Sequence, residues 1–148
     1  NKDYIVKRCL HPDRSQKRGR IFNITPVNDK VSLIVSRQDM KLFQPGSFVR
    51  LMELFNIRIK EANEKIEAVF HSENMVDIRK MRPSIIHYLP EDDGFPAEVK
   101  MPDGTTITGL AENSCKFSKK DDTVQFERFG FVKIEKMKPK LVAVFTHK

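Results

Sequence analysis

Side chains of alternating character recur at every second position along this sequence, in Lys30 to Ser36 (KVSLIVS), Phe48 to Ile59, Ile66 to His71, Val124 to Phe126 and Leu141 to Phe145. A period of two places successive side chains on opposite faces of a pleated chain. The β-branched and aromatic residues in these segments suit that geometry, so each predicts a strand. Between them stand Asn28-Asp29, Pro45-Gly46, Asp93-Gly94 and Asp103-Gly104, pairs that accept the backbone angles of tight turns. MPDGTTIT, Met101 to Thr108, is the strongest local hairpin signal, its Asp-Gly pair favouring a type I′ turn. One short helix is expected at Ser36 to Phe43, capped by Ser36 with Asp39 three residues on, and stopping before Pro45-Gly46.

Many short strands with little helix predict an all-β fold of antiparallel sheets, and sheets so rich in edges are most safely closed into barrels. Two small antiparallel β-barrels are expected, one over residues 1–85 and the second over residues 86–148, with the C-terminal strands able to return to the first. The segment Pro83 to Pro96 holds three prolines and Glu91-Asp92-Asp93-Gly94, which makes it the expected crossing.

Composition narrows the class. Hydrophobic residues make up 39% of the 148 and charged residues 32%, enough for a core and too polar for a membrane protein. The sequence opens on Asn1 without an apolar run of about 18 residues, which reads as an excised piece that does not contact a membrane. Cys9 and Cys115 are too far apart in sequence to suggest a disulfide framework or a CxxC metal pattern, and a reducing cytoplasm is the expected compartment. Residues 1–20 carry net +5 and residues 133–148 net +4, leaving −2 for the middle of a chain of net charge +7. If the ends meet, they form one basic face suited to nucleic acid. The alternative is solvated charge that keeps the termini in water.

Enzyme chemistry finds little support. His11, His71, His87 and His147 are too dispersed for a local zinc spacing, and the six glycines form neither GxGxxG nor GxxxxGK. Asp92-Asp93 and Asp121-Asp122 sit in turn-like settings where carboxylates stay in water. Lys136-Met137-Lys138-Pro139-Lys140 has the outline of a KMSKS loop, but Lys138 and Pro139 break the pattern, and no alternating βα order is present to build a nucleotide-binding sheet. It reads as a basic hairpin turn.

Proteins that read unpaired RNA bases stack them on aromatic or guanidinium planes and hydrogen-bond their edges. Basic and aromatic residues come together in three places: Arg18-Gly19-Arg20; Arg79-Lys80-Met81-Arg82 with His87-Tyr88 beyond; and Gln125-Phe126-Glu127-Arg128-Phe129. Simple alternation in the last puts Gln125, Glu127 and Phe129 on one face, with Phe126 and Arg128 opposite unless a bulge intervenes. A structural strand with Phe126 buried is the competing interpretation.

These residues carry a resemblance. VQFERFGFVKIEK, Val124 to Lys136, is similar to the terminal-barrel signature shared by glutamyl- and glutaminyl-tRNA synthetases, and VRLMELFNI, Val49 to Ile57, resembles the archaeal glutamyl branch. Leu10-His11-Pro12, Ile86-His87-Tyr88, MPDG followed by Gly109 to Glu112, and Val144 to Lys148 fall in the family order, covering nearly the whole chain. The resemblance implies two barrels of the ribosomal-protein L25-like kind that grip an anticodon loop. By motif match it makes Gln125 and Arg128 base-contacting residues, with Arg20 at the RGR-like position and Arg79 carried over across a gap. Lys80 and Arg82 extend that basic stretch.

The implied partners are the anticodon loop of tRNA(Glu), with tRNA(Gln) left open, and a catalytic domain of the same polypeptide. ATP and magnesium belong to that larger enzyme and not to this chain. The competing interpretations are an L25-like ribosomal or general structured-RNA-binding protein, and barrels that serve mainly to dock a catalytic domain or partner proteins.

Overall fold

The computed structural model describes residues 3–9 and 19–148, with backbone alone at residues 7–9, 19, 20 and 22. Two compact units divide the chain, Asn1–Pro90 and Glu91–Lys148. Strands dominate both, as the alternating pattern predicts, and the helical content is short 3-10 turns.

In the first unit, β1 (Tyr4–Cys9) pairs antiparallel with β2 (Gly19–Ile24), and β3 (Leu33–Val35) pairs antiparallel with β8 (Tyr88–Pro90). A four-stranded sheet runs in the order β6 (Ile66–Ser72), β5 (Asn56–Ala62), β4 (Phe48–Leu51), β7 (Ser84–Ile86). Val6, Phe43, Val49, Ile59, Ile86 and Tyr88 meet in its core. The second unit is one five-stranded sheet in the order β10 (Thr106–Glu112), β9 (Gly94–Lys100), β13 (Leu141–His147), β12 (Gly130–Lys136), β11 (Thr123–Phe126). Val132, Ile134, Leu141 and Ala143 are fully buried on its inner face.

Two pairings depart from the antiparallel expectation: β4 with β7 and β9 with β13 are parallel. Parallel neighbours cannot be joined by a tight turn and need a long crossover. The first crossover consists of β5, β6 and a 3-10 helix at Met75–Met81; the second, of β10, a 3-10 helix at Asn113–Phe117, β11 and β12. Pairing among the described strands forms four open sheets, and closure into barrels is not among these ladders.

Local chemistry explains the turns. Asn28 and Asp29 both have positive φ (52° and 59°), and Val27 and Lys30 exchange backbone hydrogen bonds at 2.9 and 3.0 Å, so the two-residue type I′ geometry lies there. At MPDG the type I′ expectation fails. Gly104 has φ 83°, Asp103 is not among the positive-φ residues, and the Gly104 N–H donates to the Met101 carbonyl at 3.0 Å. Pro102, with φ locked near −65°, suits the first corner of a type I turn and leaves the left-handed position to Gly104.

Asp103 Oδ1 accepts from the Thr105 N–H at 2.9 Å and from the Thr105 hydroxyl at 2.6 Å. These bonds hold its carboxyl below the ordinary carboxylate range. A depressed acid contributes stability above its unfolded pKa that is lost as pH falls through the lower folded value. Asp103→Ala is therefore expected to lower the urea midpoint near neutral pH, and the gap to the unsubstituted chain should close as pH falls from the ordinary carboxylate range through the lowered folded pKa. A gap that stays constant across that range would contradict the assignment.

The expected helix forms as a 3-10 segment, Arg37–Leu42, whose cap Ser36 accepts from the Gln38 N–H at 3.3 Å. Two further 3-10 helices, Met75–Met81 and Asn113–Phe117, were not anticipated in the sequence. The stretch Phe48 to Ile59 is two strands rather than one. It reverses at Met52-Glu53, where Glu53 takes φ 58° and the Leu51 N–H donates to the Phe55 carbonyl at 3.0 Å. The KMKPK segment connects β12 to β13, as a basic turn should.

Candidate nucleic-acid interface

The two crossovers carry the predicted site residues other than Arg20. In the first unit, Arg79 and Lys80 occupy the last turn of the Met75–Met81 helix, which is seated by the fully buried Ile78. Arg82 follows in left-handed geometry (φ 47°, ψ 56°), and its N–H donates to the Arg79 carbonyl at 3.2 Å. Pro83 then disfavours continued helix at the residue before it. Left-handed backbone at a helix end is ordinarily glycine's role and costs other residues roughly 1–2 kcal/mol. Arg79, Lys80 and Arg82 are all exposed.

A buried amide aims this helix. Asn56, fully buried on β5, donates through Nδ2 to Ser72 Oγ at 2.9 Å and to the Asn74 carbonyl at 2.7 Å. Arg50 Nη1 donates to Asn56 Oδ1 at 3.2 Å and to the Glu73 carbonyl at 2.6 Å. Residues 73 and 74 lead directly into the helix, so the network pins its entry to the sheet. Leaving such a buried amide unpaired costs about 1–3 kcal/mol, which makes the entry point well determined. The aromatic expected beside this cluster is elsewhere in use: Tyr88 is buried in the core of the first unit.

In the second unit, β11 ends at Phe126 and the chain reverses over Glu127, Arg128 and Phe129 to begin β12 at Gly130. The Phe129 N–H donates to the Phe126 carbonyl at 3.0 Å, and Arg128 stands at the third corner with φ 62°. That is the corner where type II geometry asks for glycine. Phe126 and Phe129 turn toward the core, with Phe129 edge-on to Phe145 at 5.8 Å. Gln125 and Arg128 stay exposed. The simple alternation of this motif is thus corrected, because the strand stops at Phe126 and Phe129 joins the inner side while Gln125 remains outside.

Gln125 faces Phe131 across the β11/β12 ladder, and Phe131 faces His147 across β12/β13. Thr123 is paired with Lys133 in the next row, and Lys133 Nζ lies 2.9 Å from Asp121 Oδ1. Sequence reasoning missed the Phe131–His147 pair, since a register shift between Phe131 and Val132 creates it.

Arg20 belongs to β2 opposite Arg8, described by backbone alone. Arg18 and the Leu10-His11-Pro12 motif lie outside the described residues. The C-terminal basic stretch is less free than its composition suggests, for Lys133 pairs with Asp121 and Lys140 with Glu98. Among the described residues, no group of three His, Cys, Asp or Glu is placed to hold a metal ion, and no helix is long and apolar enough to cross a membrane.

Two family models match the chain, over residues 1–73 and residues 85–135, and both describe the anticodon-binding domain of class I tRNA synthetases for glutamate and glutamine (E and Q). Among curated proteins, the chain is 43% identical over 150 residues to a glutamate–tRNA ligase of Pyrococcus abyssi and 44% identical over 151 residues to one of Thermococcus kodakarensis. Both matches cover 99% of the chain and 25% of the relative. A glutamate–tRNA ligase of Methanocaldococcus jannaschii is 36% identical, over 89% of the chain and 22% of its own length. The chain therefore spans about a quarter of the length of these relatives.

Proposed function

Because the chain belongs to the anticodon-binding domain family of the class I tRNA synthetases for glutamate and glutamine, we propose that it is the anticodon-loop recognition module of a glutamyl-tRNA synthetase. The observation that carries this reading is the hairpin of the second unit, where exposed Arg128 occupies a left-handed corner beside exposed Gln125. A guanidinium and an amide can each present paired hydrogen bonds to the edge of an unstacked base. Arg79, Lys80 and Arg82 supply a second exposed cationic group, suited to phosphates and to a further base. Arg20 is included by motif resemblance.

The proposed partners are the anticodon loop of tRNA(Glu), with tRNA(Gln) as an alternative substrate, and the catalytic domain of the same polypeptide, in the cytoplasm. A ligase of this kind uses ATP and magnesium. On this reading both groups belong to the catalytic domain of the larger enzyme, as the family resemblance implies, and the present chain has the RNA contacts alone. Aminoacylation accordingly falls to the remainder of a protein of the relatives' length.

The test is a titration of tRNA(Glu) with each anticodon base changed in turn, repeated at several salt concentrations. Affinity is expected to drop at one or more anticodon positions by about 1–3 kcal/mol each, and to fall with log salt in proportion to the phosphates neutralised. Equal affinity for every anticodon, with a flat salt response, would reject the proposal.

A further inference from the structure

The outer face of the second unit's sheet contains a row that its strand pattern does not predict. On β13, Leu141 and Ala143 are buried and Phe145 packs against the same core, so strict alternation would send His147 inward as well. It does not go there. Val132 pairs with Phe145 but Phe131 pairs with His147, so Thr146 is the extra residue of a bulge. Such a bulge re-aims the side chain that follows it. The Thr146 hydroxyl donates to the Phe131 carbonyl at 3.0 Å, tying the bulge to β12. His147 thereby lies against Phe131 with ring centroids 4.6 Å apart and planes within 15°.

This stack is open where a ligand would need it. His147 is exposed, and the pairing of β9 with β13 stops at Val144, three residues short of it. The other end of the row is Gln125 on β11, the edge strand of the sheet. An amide, a phenyl ring and an imidazole therefore stand side by side on one solvent-facing surface, next to the turn that presents Arg128. Burial does not explain a parallel aromatic pair on an outer face, whereas unpaired bases bind such surfaces by stacking.

We propose that the Phe131–His147 pair is a base-stacking platform: an unpaired base of the bound RNA, neighbouring the base that Gln125 and Arg128 read, stacks on the free face of His147. Phe131 is a positioning residue that holds the imidazole upright. The ligand class is a single-stranded RNA base, with stacking favoured over edge recognition, so the platform adds affinity with little sequence preference. This inference rests on the anticodon-loop reading above and adds a contact to it.

The experiment uses the full chain and stem-loop RNAs with the glutamate anticodon, each carrying 2-aminopurine at one loop position. One labelled position is expected to change its fluorescence on binding. His147→Ala should abolish that change and weaken the RNA about tenfold, while His147→Tyr restores both. Phe131→Leu, which keeps the strand apolar, should diminish both. Anticodon discrimination by Gln125 and Arg128 should survive in all three variants. If His147→Ala binds as tightly as the unsubstituted chain with the same fluorescence change, the platform is overturned while the anticodon reading stands. If the unsubstituted chain does not bind the RNA at all, both are overturned.

Discussion

Arg128→Ala is expected to weaken a stem-loop bearing the glutamate anticodon by up to about a hundredfold, and to leave an anticodon-scrambled loop nearly unaffected. The asymmetry follows from what the side chain would touch. A bidentate contact to a base edge discriminates by about 1–3 kcal/mol, whereas a phosphate contact weakens all sequences alike. The backbone supplies an internal control. Arg128 sits at φ 62°, where an L residue carries a penalty of roughly 1–2 kcal/mol that glycine escapes. Arg128→Gly should therefore lose as much discrimination as Arg128→Ala while melting at a higher temperature than that variant. Equal losses on cognate and scrambled loops would instead assign Arg128 to a phosphate or to holding the turn.

Gly130→Ala is expected to produce the largest loss of stability in the second unit. Gly130 has φ 143°, and a Cβ there would lie 2.6 Å from Phe145 Cε2 and 2.8 Å from the His147 carbonyl oxygen. The ring could shift only by disturbing its edge-on contact with Phe129, and the carbonyl belongs to the β12/β13 ladder. Backbone strain and overpacking each cost about 1–3 kcal/mol, so a combined loss of roughly 2–6 kcal/mol is expected. Urea unfolding followed by a probe in the second unit measures it. Gly104→Ala is the comparison, because its φ is also positive, at 83°, but a Cβ there meets nothing within 4 Å. If the two variants unfold alike, the close approach of β13 to Gly130 is not what requires glycine.

The Gly130 result also bears on the RNA contacts. Gly130 closes the turn that carries Arg128 and precedes Phe131, so a shift of β13 there would move His147 as well as the hairpin tip. Gly130→Ala is consequently expected to lower RNA binding along with stability, whereas Arg128→Gly separates the two.

Much of the fold was legible in the sequence because strands and turns are local. Alternation over Ile66 to His71 or Leu141 to Phe145 depends on neighbours a few residues apart, and it located β6 and β13. Asn28-Asp29 and Pro45-Gly46 announced their turns for the same reason, since the left-handed angles there belong to the residues themselves. The QFER motif likewise marked Gln125 and Arg128, both of which are exposed at one hairpin. The 3-10 helix at Met75–Met81 escaped notice because it has no long apolar period, and its entry is set by Asn56, a residue remote in sequence.

What tertiary structure decided is where these local pieces face. The parallel pairings of β4 with β7 and β9 with β13 join segments separated by whole crossovers, and no local pattern encodes such a partner. The bulge at Thr146 reverses the face of His147, because register depends on hydrogen bonds to a different strand and not on the parity of the residue number. Arg82 and Arg128 carry no sequence mark of left-handed backbone, as arginine rarely adopts it; only the closure of a helix end and of a hairpin forces φ positive at these positions. Periodicity could therefore name the strands and the motif. The pairing between distant strands determined which side chains they share with solvent.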